Sequence, residues 1–211
     1  MAVTRAAPVR RTQAGRRTQA DRRAQSRGAL LEAAARGLSK HGYAGLALER
    51  VASEAGYTRG ALYHLFAGKD ELALAVVTWV DDTWTAEVGR PAAELTDPVE
   101  ALLAIARGHA IFCRRDLARV MRNLRTEFTD RNHPVARAIR SITNRLITMC
   151  ATRIAAGRDS GTIPPGPPPR ETALAYLGAL EGLMSFVAGR APHDVALAER
   201  AARGILGLPL S

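Results

Sequence analysis

The chain has 211 residues, 47% of them apolar and 24% charged, which is enough for a real core in one large domain or two small ones and excludes wholesale disorder. Its longest clean apolar stretch, Leu72 to Val80 with one Thr inside, is nine residues, against the about 20 that a helical bilayer crossing needs. Thirty basic residues against 20 acidic ones give a net charge of +10, and the excess is unevenly spread. Residues 1–21 hold five Arg against Asp21, or +4; residues 22–71 carry +3; the remaining 140 carry only +3. That polarity points to a polyanion partner approached N-terminus first. The alternative is a solubilising tail on an Arg-preferring chain, since only Lys40 and Lys69 are lysines.

The first 28 residues contain no apolar h-region, so no secretory signal is expected. Cys113 and Cys150 are too few for a disulfide framework and fit a reducing, cytoplasmic location. Residues 1–21 show no apolar periodicity and are expected to be a disordered basic arm. From Arg22 to Lys40, Leu30, Leu31, Ala34, Ala35 and Leu38 form a helical stripe, which Gly42 ends. A short helix over about Ala47 to Ala55 follows, closed by Gly56. A second starts with Thr58 as N-cap and runs to Phe66, with Leu62 and Phe66 inward. Lys69 then opens a long helix to about Arg90, with Asp70 and Glu71 in the first turn where carboxylates suit the helix dipole.

Asp97-Pro98-Val99-Glu100 reads as a further helix start, an N-cap followed by Pro at N1 and Glu at N3, and apolar spacing continues to Cys113. Helices are expected over about Leu117 to Phe128, Pro134 to Ala156, Arg170 to Ala188 and Pro192 to Leu206. Between the second and third of these lies Gly157 to Pro169, where five prolines in six residues exclude a helix. That segment reads as a stiff surface connector, with a polyproline ligand as the alternative. No strand-like alternation of any length is visible, so the expected fold is all-α with around nine helices.

The functional signal sits in Leu46 to Leu72. Two short helices joined by a Gly-containing turn make a helix-turn-helix. Ala52, Ala55 and Ala61 are small where the helices meet, Gly56 allows the tight turn, and Thr58, Arg59, Tyr63 and His64 form a polar face above Leu62 and Phe66. A helix of this kind fits the major groove. Its hydroxyls and N-terminal amides suit phosphate oxygens, and Arg59 can grip a guanine bidentately. The alternative is a plain helical hairpin whose Tyr and His cap a core.

Gly42-Tyr43, Val51-Ala52, Ala55-Gly56, the run Thr58-Arg59-Gly60-Ala61-Leu62-Tyr63, Phe66, Lys69 and Leu72 resemble the TetR/AcrR family of transcriptional regulators, over about Arg22 to Val77. The resemblance implies an N-terminal three-helix head (22–82, helix-turn-helix about 47–66) and a larger helical body (83–211) that binds a small molecule and forms a homodimer. Carried over by position, the DNA contacts are Thr58, Arg59, Gly60, Ala61, Tyr63, His64 and Lys69, with Tyr63 on phosphate and Gly60 allowing close backbone approach. The chain departs from the family where a Ser or Thr usually starts the second helix: here the stretch is Leu46-Ala47-Leu48. That phosphate contact is expected to be missing, with the Arg-rich arm compensating.

In the body, Glu127-Phe128-Thr129-Asp130 and Tyr176 with Gly182-Leu183 are similar to the multidrug-efflux-repressor branch. Trp79, Trp84, Phe112, Met121, Phe128, Met149 and Tyr176 are candidate apolar walls of a pocket for an apolar or amphipathic effector, with His109, Asn123, Arg125 and Glu127 as polar anchors; about half are expected to line it. Ala175, Gly178, Ala179, Gly182, Leu183 and Phe186 are the candidate dimer face implied by the family's helical interface, with intrachain packing as the alternative. His109 and Cys113 share a helix face but lack a second ligand pair, so no metal is expected. Cys113 beside Arg114 and Arg115 is either a buried thiol or one with a lowered pKa. No phosphate loop, His-Glu-x-x-His motif or nucleophile elbow is present, so neither an enzyme nor a cofactor is expected. The sequence expectation is therefore a ligand-responsive regulator, most simply a repressor, on a pseudo-palindromic operator. The rivals are an activator or ungated binder with the same head, and a small-molecule-binding helical protein with a vestigial one.

Overall fold

The structure is a computed structural model that describes residues 18–128 and 132–209. Among the described residues all regular structure is helical: α1 (Gln19–His41), α2 (Leu48–Glu54), α3 (Arg59–Tyr63), α4 (Lys69–Trp84), a π turn (Thr85–Gly89), α5 (Arg90–Ala93), α6 (Pro98–Phe112), α7 (Asp116–Glu127), α8 (Pro134–Asp159), α9 (Pro169–Val187) and α10 (His193–Leu206). Backbone angles stay in the right-handed helical region from α4 through the π turn into α5. These three segments are one rod, and the described residues form nine rods in all, as the hydrophobic periodicity suggests.

Local chemistry explains most of the boundaries. α1 begins at Gln19, three residues before the expected start at Arg22, because Thr18 and Asp21 form a reciprocal capping box. The arm expected over 1–21 therefore gives up its last residues to this helix, and the rest of it lies outside the described residues. Thr58 caps α3 by accepting the Ala61 N–H at 3.2 Å, and Asp97 caps α6 by accepting from Val99 N–H at 2.9 Å. α3 ends at Tyr63, short of the expected Phe66, although the Phe66 N–H still reaches the Leu62 carbonyl at 2.9 Å. The π turn fits one extra residue into the long rod. A Cβ on Gly89 would stand 3.1 Å from the Trp84 ring, and one on Gly108 of α6 would stand 3.0 Å from Val88, so the turn locks against Trp84 and α6.

The core has two continuous parts. In the head, Leu30, Ala34 and Leu38 of α1 bury against Val51, Leu62, Phe66 and Leu72. In the body, α6 is buried along most of its length and packs on α8 and α10, while α9 packs on α8 and α10. The proline run is a connector, closed by Ile163, which is 1% exposed, and by Arg158, which donates to the Thr172 hydroxyl at 3.1 Å and to the Pro167 carbonyl. No helix among the described residues is long and apolar enough to cross a membrane.

Among the described residues one charged group is fully buried: Asp194, which takes a two-pronged grip from Arg114 at 2.9 Å on both oxygens and ties α10 to the end of α6. Arg114 holds the Asp194 carboxyl below its usual range, so the bond contributes fully above the ordinary Asp pKa and is lost on acidification. Asp194→Asn is expected to cost about 2 kcal/mol at pH 7 in urea unfolding. The gap between variant and wild type should narrow as the pH falls toward 3.

Candidate nucleic-acid interface and effector cavity

The turn between α2 and α3 places Gly56 at φ 78°, a left-handed conformation that favours glycine. α3 then presents its outer face. Arg59 Nη1 lies 2.8 Å from Glu49 Oε1 of α2, with both side chains about 60% exposed, so the pair holds the guanidinium in place but is worth little free energy. The same guanidinium lies over the Tyr63 ring at 5.4 Å, and its Nη2 approaches the Tyr63 hydroxyl at 3.4 Å. Tyr63 is 42% exposed, His64 is exposed, and a Cβ on Gly60 would meet only Thr58 Oγ1 at 3.9 Å. Thr58, Arg59, Gly60, Ala61, Tyr63 and His64 thus share one small surface over the buried Leu62 and Phe66.

Lys69 differs from these. Its ammonium donates to the Ala44 carbonyl at 3.1 Å and lies 4.7 Å from the Tyr43 ring centre, so it also braces the turn after α1. α2 has Ala47 as its N-cap, with no side-chain hydrogen bond.

Behind the head, the body forms a partly open cavity of about 300 Å³ between α4, α6, α7, α8 and α9, at the small end of the usual range for ligand sites. Five of the sequence candidates line it: Trp84, His109, Phe112, Met121 and Arg125. The remaining wall is mostly aliphatic, including Val80, Ile105, Ile142, Leu146, Ile147, Leu174, Leu177 and Leu180, with Asp81, Cys113, Thr143, Gly178 and Glu181. Trp84 Nε1–H donates to His109 Nδ1 at 3.2 Å. An indole nitrogen is only a donor, so the neutral imidazole carries its proton on Nε2. Burial lowers the His109 pKa and keeps the ring neutral. Burial also pushes the Cys113 thiol up to about 12, the opposite of the activation that Arg114 and Arg115 suggest in sequence. Arg114 faces Asp194 and Arg115 faces Glu87 instead. Cys150, likewise buried, is also pushed up to about 12.

The other six pocket candidates lie elsewhere. Tyr176 is fully buried and donates to the Leu102 carbonyl at 2.6 Å. Trp79 and Met149 are half-buried against the core. Asn123 and Glu127 are on the opposite side of α7 from the cavity, Phe128 follows the end of the helix, and all three contact the head. Asn123 Nδ2 donates to the Ser39 carbonyl at 2.8 Å and to the Leu38 carbonyl at 3.2 Å, at the end of α1. The Glu127 carboxylate accepts the Tyr43 N–H. Phe128 stacks on His133 at 4.3 Å and tilts against Tyr43 at 4.9 Å.

Tyr43 in turn donates its hydroxyl to Asp70 at the start of α4, and burial with that carboxylate pushes its pKa up to about 12. Gly42, at φ 67°, has no room for a Cβ because the Glu127 carboxylate lies there. α1 packs against α7 more extensively than against α2 or α4. One face of α7, Ala118, Met121 and Arg125, therefore lines the cavity while another holds the head.

On the dimer-face candidates, α9 divides in two. Leu174, Leu177, Gly178 and Glu181 face the cavity. Ala175, Gly182 and Phe186 are exposed, Phe186 by 79%, with Ala179 and Leu183 half-buried beside them. A Cβ on either Gly178 or Gly182 would meet nothing within 4 Å. Among the described residues no group of three or more His, Cys, Asp or Glu could hold a metal ion.

Residues 30–76 match the family of bacterial regulatory proteins, tetR family. Over 78 residues the chain is 36% identical to the HTH-type transcriptional regulator YxaF of Bacillus subtilis strain 168, a match that takes in 36% of this chain and 41% of that one. In overall fold it is similar to SCO4454, a TetR-family transcriptional regulator from Streptomyces coelicolor, with a TM-score of 0.74, 22% identity and 87% and 95% of the two chains covered. It is also similar to AibR, solved with isovaleryl coenzyme A and operator DNA, with a TM-score of 0.71, 22% identity and coverage of 88% and 98%. By sequence, residues 30–76 of the head match the tetR family of bacterial regulatory proteins, and most of the chain shares the fold of solved TetR-family regulators.

Proposed function

We propose that this protein is a ligand-responsive DNA-binding transcriptional regulator, a repressor that binds a pseudo-palindromic operator as a homodimer and is released by a small apolar or amphipathic effector. The observation that carries the reading is the pairing of an exposed Thr58–His64 surface with an apolar cavity, the two joined by α7. AibR, of similar fold, was solved with both an acyl thioester and operator DNA.

In this reading α3 enters the major groove, and a dimer reaches two successive grooves about 34–36 Å apart. Arg59 exchanges its exposed partner Glu49 for a guanine edge, a cheap exchange because the free pair is solvated. Tyr63, Thr58 and the N-terminal amides of α3 take phosphate oxygens, and Lys69 adds a cation beside them. The exposed strip Ala175, Gly182 and Phe186 is the surface for the second copy. An effector that fills the cavity shifts α7, and with it the carbonyl ends of α1 held by Asn123, so the head spacing that fits DNA loses population.

Fluorescence anisotropy on duplexes tiling the DNA upstream of its own gene, with excess unrelated DNA, tests this reading. One tile should bind tightly and resist competition. Arg59→Ala should weaken that tile by about 1–3 kcal/mol while leaving binding to unrelated duplexes nearly unchanged. Equal, salt-sensitive binding to every tile would contradict the reading.

The bare N-cap of α2 gives a second expectation. Ala47→Ser supplies an oxygen for the unpaired amides of the first turn, so it should stabilise the protein by about 1 kcal/mol in thermal unfolding. It should also tighten DNA binding at every sequence alike, because a hydroxyl there meets phosphate and reads no base. Unchanged stability and affinity would show that the missing hydroxyl has no consequence.

A further inference from the structure

The cavity carries charges, and each of them is already matched. Arg125 Nη1 of α7 lies 3.2 Å from Glu181 Oε1 of α9, with both side chains about one-third exposed at the rim. Asp81 of α4, only 13% exposed, is held by Arg145 of α8 at 2.6 Å. His109 is neutral for the reason already given: its Nδ1 accepts from Trp84, and its ring is enclosed. The wall is otherwise mostly aliphatic and aromatic carbon, with the Cys113 thiol and the Thr143 hydroxyl, which already donates to the Ile139 carbonyl at 2.9 Å. A ligand that brings its own net charge must therefore break one of these pairs or leave its charge unmatched in an apolar space, and both are costly.

One polar group on the wall is under-used. His109 Nε2–H points toward Cys113 Sγ at 3.4 Å and is 3.9 Å from Glu181 Oε1. A thiol sulfur is a weak acceptor, and 3.9 Å is beyond a hydrogen bond. This donor can take a neutral oxygen of a ligand without disturbing either ion pair.

We propose that the cavity selects an uncharged, mainly apolar molecule bearing a carbonyl or similar neutral oxygen, which accepts a hydrogen bond from His109, and that the Arg125–Glu181 pair rejects both carboxylates and ammonium ions. The inference rests on the cavity being the effector site. It goes further by assigning the selection of ligand charge to one rim pair.

The test uses the full chain with Trp79→Phe, so that Trp84 in the cavity wall is the only indole reporter. It is titrated with 2-octanone, octanoate and octylammonium, three probes of equal carbon number. The ketone should bind about tenfold or more tightly than either ion. Glu181→Gln frees Arg125 and should raise octanoate affinity by about tenfold, and Arg125→Gln frees Glu181 and should do the same for octylammonium. Each variant should gain only its own ion. A gain of binding cannot come from misfolding, so the two reciprocal variants keep the result interpretable.

The proposal is overturned if octanoate or octylammonium binds the parent as tightly as the ketone. It is equally overturned if the two variants leave the affinities of the ions where they were. Saturable binding by none of the three would remove the cavity as an effector site altogether, and the operator titration would still decide the DNA-binding reading on its own.

Discussion

α7 holds two environments apart and together. Its Ala118, Met121 and Arg125 side is cavity wall, and its Asn123 and Glu127 side carries the end of α1 and the turn that follows. The bonds on the head side go to backbone groups at a helix end: the Ser39 carbonyl, the Tyr43 amide, and the Leu38 carbonyl that also accepts the Gly42 N–H. Such groups must find a partner when buried. The head is therefore seated on the body through backbone groups at the end of its own first helix.

Around that contact the charged and aromatic groups form a continuous set. Tyr43 bonds Asp70 at the start of α4, Lys69 lies over the Tyr43 ring, and Phe128 and His133 close the other side. The long rod of α4 is thus one of two links between head and cavity. Its far end, through the π turn, sets Trp84 against His109 in the cavity. A π turn at this point is consistent with the tendency of such turns to occur at functional positions.

Much of this was legible from the residues. Helix order followed from apolar spacing, and the caps Thr58 and Asp97 marked two starts because their side chains serve the local backbone. The same local logic gave the surface of α3. The start of α1 was hidden because Thr18 and Asp21 sit in an Arg-rich stretch with no apolar stripe. The cavity was only half legible for a different reason. Spacing along α7 separates Met121 and Arg125 from Asn123 and Glu127, but it does not say which side meets a void and which meets another helix. Tyr176 reads like a cavity aromatic and is instead packed solid, with its hydroxyl committed to Leu102. Those distinctions depend on contacts between residues far apart in sequence.

Whether α7 transmits the state of the cavity to the head is read most directly, and without a ligand, by a double-mutant cycle. Ala118→Leu pushes extra volume from α7 into the cavity, and Asn123→Ala cuts the grip on α1. Operator affinity is measured for both single variants and the double. With α7 as the transmitting element, Ala118→Leu should weaken operator binding about fivefold in the intact protein and have little further effect once Asn123 is removed. An equal effect of Ala118→Leu in both backgrounds would show that the cavity and the head do not communicate through this helix.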